Sequence, residues 1–66
     1  MKSYSSSEVI KLLEEDGWFL KGPPKGSHYH YVHPKKKGKV TVPHPRKDLG
    51  KGLLKAIEKQ SGVTLT

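Results

Sequence analysis

Two segments of the chain repeat apolar residues every three to four positions, with charged side chains between them. This period is typical of the core-facing side of an α-helix. It predicts one helix over residues 5–16 and a second from about residue 50 to residue 61. The apolar stripes consist of Val9, Leu12 and Leu13 in the first helix and of Leu53, Leu54 and Ile57 in the second.

Residues with strong preferences for helix ends mark both segments. Ser5 and Glu8 fit the S-x-x-E capping box, in which each side chain accepts a hydrogen bond from the other residue's backbone N–H. Gly17 and Gly62 follow the two stripes, and glycine readily adopts the left-handed conformation that ends a helix. The predicted boundaries therefore depend on capping as well as on periodicity.

Three short strands are predicted between the helices, over residues 18–21, 27–33 and 39–42, where aromatic and β-branched side chains are frequent. Turn-forming sequences separate them: residues 22–26 contain two prolines and two glycines, and residues 35–38 read Lys-Lys-Lys-Gly. The order α-β-β-β-α favours an α+β fold. A three-stranded antiparallel sheet with both helices on one face is the simplest arrangement that buries both apolar stripes.

Length and composition limit the class of protein. Sixty-six residues suffice for a single domain, residues 1–66, with no room for a separate cofactor-binding unit. The absence of cysteine argues against a disulfide-stabilised secreted domain and against a thiolate zinc site. Apolar runs are too short for a signal peptide or a membrane span. We expect a cytoplasmic protein with no cofactor and no membrane association.

Positive charge is concentrated after the first predicted helix. The formal net charge is 13 − 6 = +7. Residues 1–17 carry two lysines and four acidic residues, a net of −2, whereas residues 18–66 carry eleven basic and two acidic residues, a net of +9. This asymmetry predicts a polyanionic ligand, either nucleic acid or an acidic protein, although a solubilising surface would have the same composition.

The second predicted strand carries most of the candidate chemistry. Its alternation puts His28 and His30 on one face and Tyr29, Tyr31 and His33 on the other. Tyrosines are the better core residues, so we place their face against the helices. The two remaining histidines then project from the open face of the sheet. By the same reasoning the single tryptophan, Trp18, is assigned to the core and not to base stacking.

His28 is the leading candidate for acid–base chemistry. An imidazole has an unperturbed pKa of about 6.5 and exchanges protons near neutral pH. Cleavage of RNA through its 2′-hydroxyl requires such an exchange. His30 points the same way and is either a second acid–base group or an ordinary surface residue. Most exposed histidines have no catalytic role, so the pattern alone leaves both interpretations open.

Four histidines also suggest a metal site. His28 and His30 have the spacing of two ligands on a strand, and His33 or His44 would supply a third. However, His33 falls on the opposite face, and no carboxylate lies near in sequence. The pattern therefore favours no metal site.

A set of basic residues near the turns forms a candidate phosphate clamp beside the open face. The alternative is a solvated basic loop that protects the sheet from edge pairing. The residues assigned to RNA binding, with Ser27 and His30 added, are Lys25, Lys35, Lys36, Lys37, Lys39, Arg46 and Lys47.

Short motifs occur in a fixed order along nearly the whole chain. They are Leu12-Leu13-Glu14, Gly17-Trp18, Gly26-Ser27-His28, His33-Pro34, Val40-Thr41-Val42-Pro43-His44, and Lys47-Asp48-Leu49 followed by Gly52-Leu53-Leu54 and Ile57. Each is weak alone, but their order and spacing are specific. In these motifs the chain resembles the HicA toxins of bacterial type II toxin–antitoxin systems.

The resemblance implies a fold like that of double-stranded-RNA-binding domains and a ribosome-independent, metal-independent cleavage of mRNA. It implies that His28, the histidine of the family's G-S-H motif, is catalytic. The implied partner is a HicB-type antitoxin that covers the active face, and the free toxin is expected to be monomeric. Two departures from the family pattern are the stiff Pro23-Pro24 turn, which bears on substrate access, and Gly50, which stands where proline is frequent.

The expected substrate is single-stranded mRNA, because in-line attack by a 2′-hydroxyl needs a flexible strand and an A-form helix resists it. Two other functions remain open from the sequence. One is a non-catalytic RNA-binding module of the same fold, and the other is a small basic accessory protein that binds an acidic partner. Replacement of His28 separates the first of these from a nuclease.

Overall fold

A computed structural model describes residues 3–65. Its elements are helix α1 (Ser6–Asp16), strands β1 (Phe19–Leu20), β2 (His28–Val32) and β3 (Val40–Pro43), and helix α2 (Lys51–Ser61). The order α-β-β-β-α is the one that the sequence predicts. Within the described residues, neither helix is long and apolar enough to cross a membrane.

The ends of α1 follow the predicted capping chemistry. The backbone N–H of Glu8 donates to the Ser5 hydroxyl at 3.2 Å, and the Ser5 N–H donates to the Glu8 carboxylate at 2.9 Å. Gly17 ends the helix with a φ of 109°. Two backbone donors at the first turn are thereby satisfied, as a capping box requires.

The three strands form one antiparallel sheet in the order β1-β2-β3. Phe19 pairs with Val32, and His30 pairs with Thr41. β1 is shorter than predicted, since Trp18 and Lys21 lie outside it, and the Trp18 side chain is only 2% exposed. The central strand β2 is therefore paired on both sides, and its position fixes the direction of every side chain that it carries.

One apolar core lies between the sheet and the helices, and both helices pack on β3. Tyr31 of β2 is buried there and Tyr29 packs against the same core, which confirms the predicted orientation of the strand. The assignment of Trp18 to the core is also confirmed. The buried apolar residues of the core are Val9, Leu13, Trp18, Tyr31, Val40, Val42, Leu49, Leu54, Ile57 and Leu65.

Candidate active site

His28 and His30 lie on the face of the sheet that the helices leave uncovered. The neighbouring tyrosines of β2 face the core, and side chains alternate along a strand. His28 is exposed at the beginning of β2, opposite Pro43, whereas His30 is half-buried opposite Thr41. The two imidazoles therefore lie side by side on one surface.

A tight turn holds His28 in place. The backbone N–H of His28 donates to the Lys25 carbonyl at 2.9 Å, and the Lys25 N–H donates back to the His28 carbonyl at 3.2 Å. Gly26 has a φ of 58°, and a two-residue hairpin turn of type II′ needs a positive φ at this first position. The glycine of the Gly26-Ser27-His28 motif is therefore required by the backbone conformation of the turn. This turn sets the direction of the strand that begins with His28.

Ser27 contributes its backbone to the same turn. Its carbonyl oxygen accepts a hydrogen bond from the backbone N–H of His44 at 2.8 Å, beyond the last pair of the β2–β3 ladder. This bond ties the turn before His28 to the segment after β3. Ser27 is exposed, so its hydroxyl is accessible to a ligand on the surface.

His30 is oriented by its neighbour on β3. Its Nδ1 atom shares a hydrogen bond of 2.8 Å with the Thr41 hydroxyl. Partial burial lowers the pKa of His30 below its ordinary value of 6.5, and the charges of Lys39, His28 and Lys25 lower it further. The ring is therefore held in a defined orientation and stays neutral to lower pH than a free imidazole.

A groove of about 440 Å³ opens beside His30. Two of the predicted RNA-binding lysines, Lys25 and Lys39, line the groove. Lys21, which is not among the predicted residues, lines it as well. The backbone N–H of Lys21 donates to the His30 carbonyl at 2.8 Å, so the two residues are opposite each other on adjacent strands. Applying the two-residue alternation to the first strand would have identified Lys21.

The other predicted cations do not line this groove. Lys36 donates to the Asp16 carboxylate at 2.6 Å and to the Ser61 carbonyl at 3.0 Å, so its ammonium lies where the two helices end. Arg46 and Lys47 border a separate depression at the beginning of α1. Lys35 and Lys37 are exposed in the loop before β3. The structure thus brings together Lys25 and Lys39 with His30, and it distributes the other five elsewhere.

His33 belongs to a hydrogen-bonded cluster at the helix ends, which we call the helix-end clamp (Asp16, Trp18, His33 and Lys36). Its Nδ1 atom accepts the backbone N–H groups of Lys35 and Lys36 at 3.0 and 3.2 Å. The proton therefore resides on Nε2, which donates to the Asp16 carbonyl at 2.8 Å. The ring packs edge-on against Trp18, with centroids 5.3 Å apart.

The Asp16 carboxylate completes this clamp. It accepts hydrogen bonds from Lys36 and, at 3.2 Å, from the Trp18 indole N–H. The hydrogen bond from Lys36 is the main reason why the pKa of Asp16 is lowered below its usual value, and the indole N–H and the nearby His33 contribute to the same shift. The carboxylate therefore joins the loop before β3 to the end of α1.

His44 belongs to a second cluster, the Ser6 junction (Ser6, His44 and Arg46). The buried Ser6 hydroxyl shares a hydrogen bond of 2.7 Å with His44 Nδ1 and accepts the Arg46 backbone N–H at 2.8 Å. The His44 ring packs edge-on against Tyr29, with centroids 4.9 Å apart. Both histidines on the core side of the sheet are therefore engaged in structural contacts.

No group of three or more potential metal ligands is assembled within residues 3–65. His28 and His30 are adjacent on the open face, whereas His33 and His44 are engaged in the helix-end clamp and the Ser6 junction. The side chains that the sequence offered as a third ligand are thus held apart from the first two.

Comparison with known proteins identifies the family. The model of the HicA toxin of bacterial toxin–antitoxin systems matches residues 6–63. A solved structure described as a HicA3 and HicB3 toxin–antitoxin complex contains a chain that is 41% identical, with a TM-score of 0.84 over 96% of this chain and 100% of the other. No curated protein gives a significant match. The chain therefore belongs to the HicA family of bacterial toxins.

Proposed function

We propose that this protein is the toxin of a HicAB-type pair and acts as an mRNA interferase, an endoribonuclease that cuts single-stranded mRNA without ribosome or metal. The observation that carries the proposal is the exposed His28, aimed by a tight turn onto the same face as His30 and the lysine-lined groove. Cleavage of mRNA would stop translation and growth in the cytoplasm until an antitoxin neutralises the toxin.

The reaction needs a proton acceptor for the attacking 2′-hydroxyl and a proton donor for the departing 5′-oxygen. His28 is placed to serve as the general acid or base, because it is exposed on the same face of the sheet as His30, which lines the groove. His30, whose pKa is lowered by partial burial and by Lys39, His28 and Lys25, stays neutral and suits the role of base or hydrogen-bond donor. Acid and base on one surface permit in-line cleavage.

Lysines of the groove supply the positive charge that the reaction needs. Lys21, Lys25 and Lys39 come from three different segments and converge beside His30. A pentavalent phosphorane carries more negative charge than the starting phosphodiester, so preformed cations stabilise it preferentially. Lys39 and Lys25 thus bind the phosphate backbone of the RNA and stabilise the transition state.

The proposed partner is a HicB-type antitoxin. The 41% identical relative is described as a complex of HicA3 with HicB3. A protein that covers the open face would bury His28 and the lysine groove together and thereby block access to RNA. Free of this partner, the toxin is expected to act as a monomer.

The deciding experiment is cleavage of a long single-stranded RNA by the purified protein in excess EDTA, with His28→Ala prepared in parallel. Only the wild type should cut, and the variant should keep the same circular dichroism spectrum because His28 is exposed. Equal cutting by both proteins would indicate a contaminating nuclease or another catalytic group. RNA binding without cutting by either would make the protein an RNA-binding module.

Salt dependence tests the groove, with a charge-matched control. Each lysine that contacts a single strand contributes about −0.7 to the log–log slope of affinity against salt. Lys39→Ala should therefore flatten the slope by about 0.7, whereas Lys59→Ala, on the exposed surface of α2 and outside the groove, should leave it unchanged. Equal effects of both substitutions would mean that general charge, and not the groove, attracts RNA.

A further inference from the structure

Phe19 is the most exposed large apolar side chain among the described residues. Fifty-two per cent of it is accessible to solvent, although it lies in a paired strand of the sheet. A single exposed apolar residue is common on a protein surface. The exposure of Phe19 is informative because of where the residue lies relative to His30 and the lysine groove.

The strand register puts Phe19 on the catalytic face. Phe19 pairs with Val32, which lies two residues beyond His30 on β2, and paired residues project to the same side of a sheet. Lys21 follows two residues later on the same face and lines the groove. Phe19 therefore extends the surface that carries His28, His30 and Lys21, at the end farthest from His28.

We propose that Phe19 is a stacking platform for a nucleobase of the RNA substrate, at a subsite next to the groove. The inference deepens the proposed ribonuclease function and depends on it. Proteins that bind single strands combine a cationic groove, which follows the phosphates, with an aromatic ring on which a base stacks. Phe19 of β1 and Lys21, which follows the end of that strand, provide both parts two residues apart.

Distance assigns this subsite to a flanking nucleotide. His28 and Val32 are four residues apart on β2, about 13 Å in an extended strand. A base stacked on Phe19, opposite Val32, cannot belong to the ribose whose 2′-hydroxyl reacts at His28. Phe19 is therefore a binding residue, whose loss should raise KM and leave kcat at saturation nearly unchanged.

The exposed apolar surface on this face centres on a single ring. Leu20, the other exposed large apolar residue, pairs with Tyr31 and so projects to the opposite side of the sheet. On the catalytic face, Phe19 and the half-buried Val32 adjoin Lys21 and Lys39, which line the neighbouring groove. One aromatic ring bordered by lysines matches one base on a phosphate backbone.

The proposal is tested by measuring the binding of a short single-stranded RNA by fluorescence anisotropy. The parent protein for this test is the His28→Ala variant, which should leave the RNA uncut. Phe19→Leu should weaken binding by about 5- to 150-fold, the range for loss of one stacked base, and Phe19→Trp should retain it. Leu20→Ala is the matched control on the other side of the sheet and should bind normally. Thermal melting establishes that each variant is folded.

An RNA of the same length with abasic sugars isolates stacking from charge. Phe19→Leu and its parent should bind this abasic strand equally, because no base remains to stack. Equal affinity for the normal RNA as well, with the wild type still cutting, would overturn the stacking role and leave the ribonuclease proposal intact. Normal RNA affinity combined with escape from antitoxin would assign Phe19 to the protein partner. Absence of RNA binding by the parent, together with absence of cutting by the wild type, would overturn both proposals.

Discussion

The four histidines of this chain form two pairs that differ in what their rings contact. His28 and His30 lie on the open face, one exposed and one turned by Thr41 toward a lysine groove. His33 and His44 lie on the core side, where each packs edge-on against an aromatic ring and accepts or shares hydrogen bonds through Nδ1. Residue type alone therefore does not identify the chemistry of a histidine.

Alternation along one strand produces much of this difference. His30 and His33 are three residues apart, an odd number, so β2 and its extension direct them to opposite sides of the sheet. On one side the imidazole meets solvent and cations, and on the other it meets fixed backbone groups. The first environment leaves proton exchange available, while the second uses the ring nitrogens to hold the loops in place.

The largest contrast is expected between His28, whose replacement should affect activity, and His33, whose replacement should affect stability. His28→Ala should lower the cleavage rate by about 10²- to 10⁴-fold, the usual contribution of an acid–base group, with the free energy of unfolding changed by less than about 0.5 kcal/mol. His33→Ala should lose about 1–3 kcal/mol of stability and keep its cleavage rate where it is folded. Denaturant unfolding and RNA cleavage measure the two. A stable but inactive His33→Ala would contradict the division.

The Ser6 junction should show the next largest effect. Ser6 is fully buried, and its hydroxyl serves both His44 and the Arg46 backbone. Ser6→Ala leaves these partners unsatisfied and should cost about 1–3 kcal/mol in urea unfolding. The exposed Ser7→Ala, one residue along α1, is the matched control and should change stability by less than about 0.5 kcal/mol. Equal costs would show that the junction contributes nothing of its own.

The helix-end clamp should make stability depend on acidic pH. Because Lys36 lowers the pKa of Asp16 in the folded protein, the unfolded chain binds the proton more readily. The stabilisation is present above the ordinary aspartate pKa of about 3.9 and is lost as pH falls through the lower folded value. The stability difference between wild type and Lys36→Met should therefore shrink as pH falls below about 4. A constant difference in pH-dependent denaturation would contradict the ion pair.

The smallest and most specific expected effect is a lowered pKa of the His30 side chain. Its pKa, followed by NMR of the ring protons, should lie below 6.5, and protonation should slightly destabilise the fold as pH falls below that value. Lys39→Met should raise the pKa only in part, because partial burial is the larger cause. A midpoint at or above 6.5 in the wild type would remove the argument that His30 acts as a neutral group.

The sequence was sufficient for the order of elements and for the faces of β2, because periodicity, capping and glycine act locally. Ser5 and Glu8 fulfil the capping box, and Tyr31 is buried as predicted. The destinations of Lys36 and of the Ser6 hydroxyl were not predicted. Their partners lie 20 to 40 residues away, so they depend on how the loops close and not on any local pattern.

The candidate site was predicted in part for the same reason. His28 and His30 follow from alternation, whereas the groove requires the pairing of Lys21 with His30 and the course of the turn that carries Lys25. The seven basic residues of the candidate phosphate clamp share only their proximity in sequence to the turns. The side chain of a lysine beside a loop can point in many directions. Only the folded structure determines whether it pairs with a carboxylate, as Lys36 does with Asp16, or lines a groove.

Gly17 has a consequence for how variation in this family should be interpreted. Its φ of 109° suits glycine alone, and a Cβ atom there would lie 2.8 Å from His33 Nε2. Two independent restrictions thus act on one exposed residue outside the open face of the sheet. Deep mutational scanning should find this position intolerant of substitution. That intolerance would reflect the requirements of folding and would not mark a binding site.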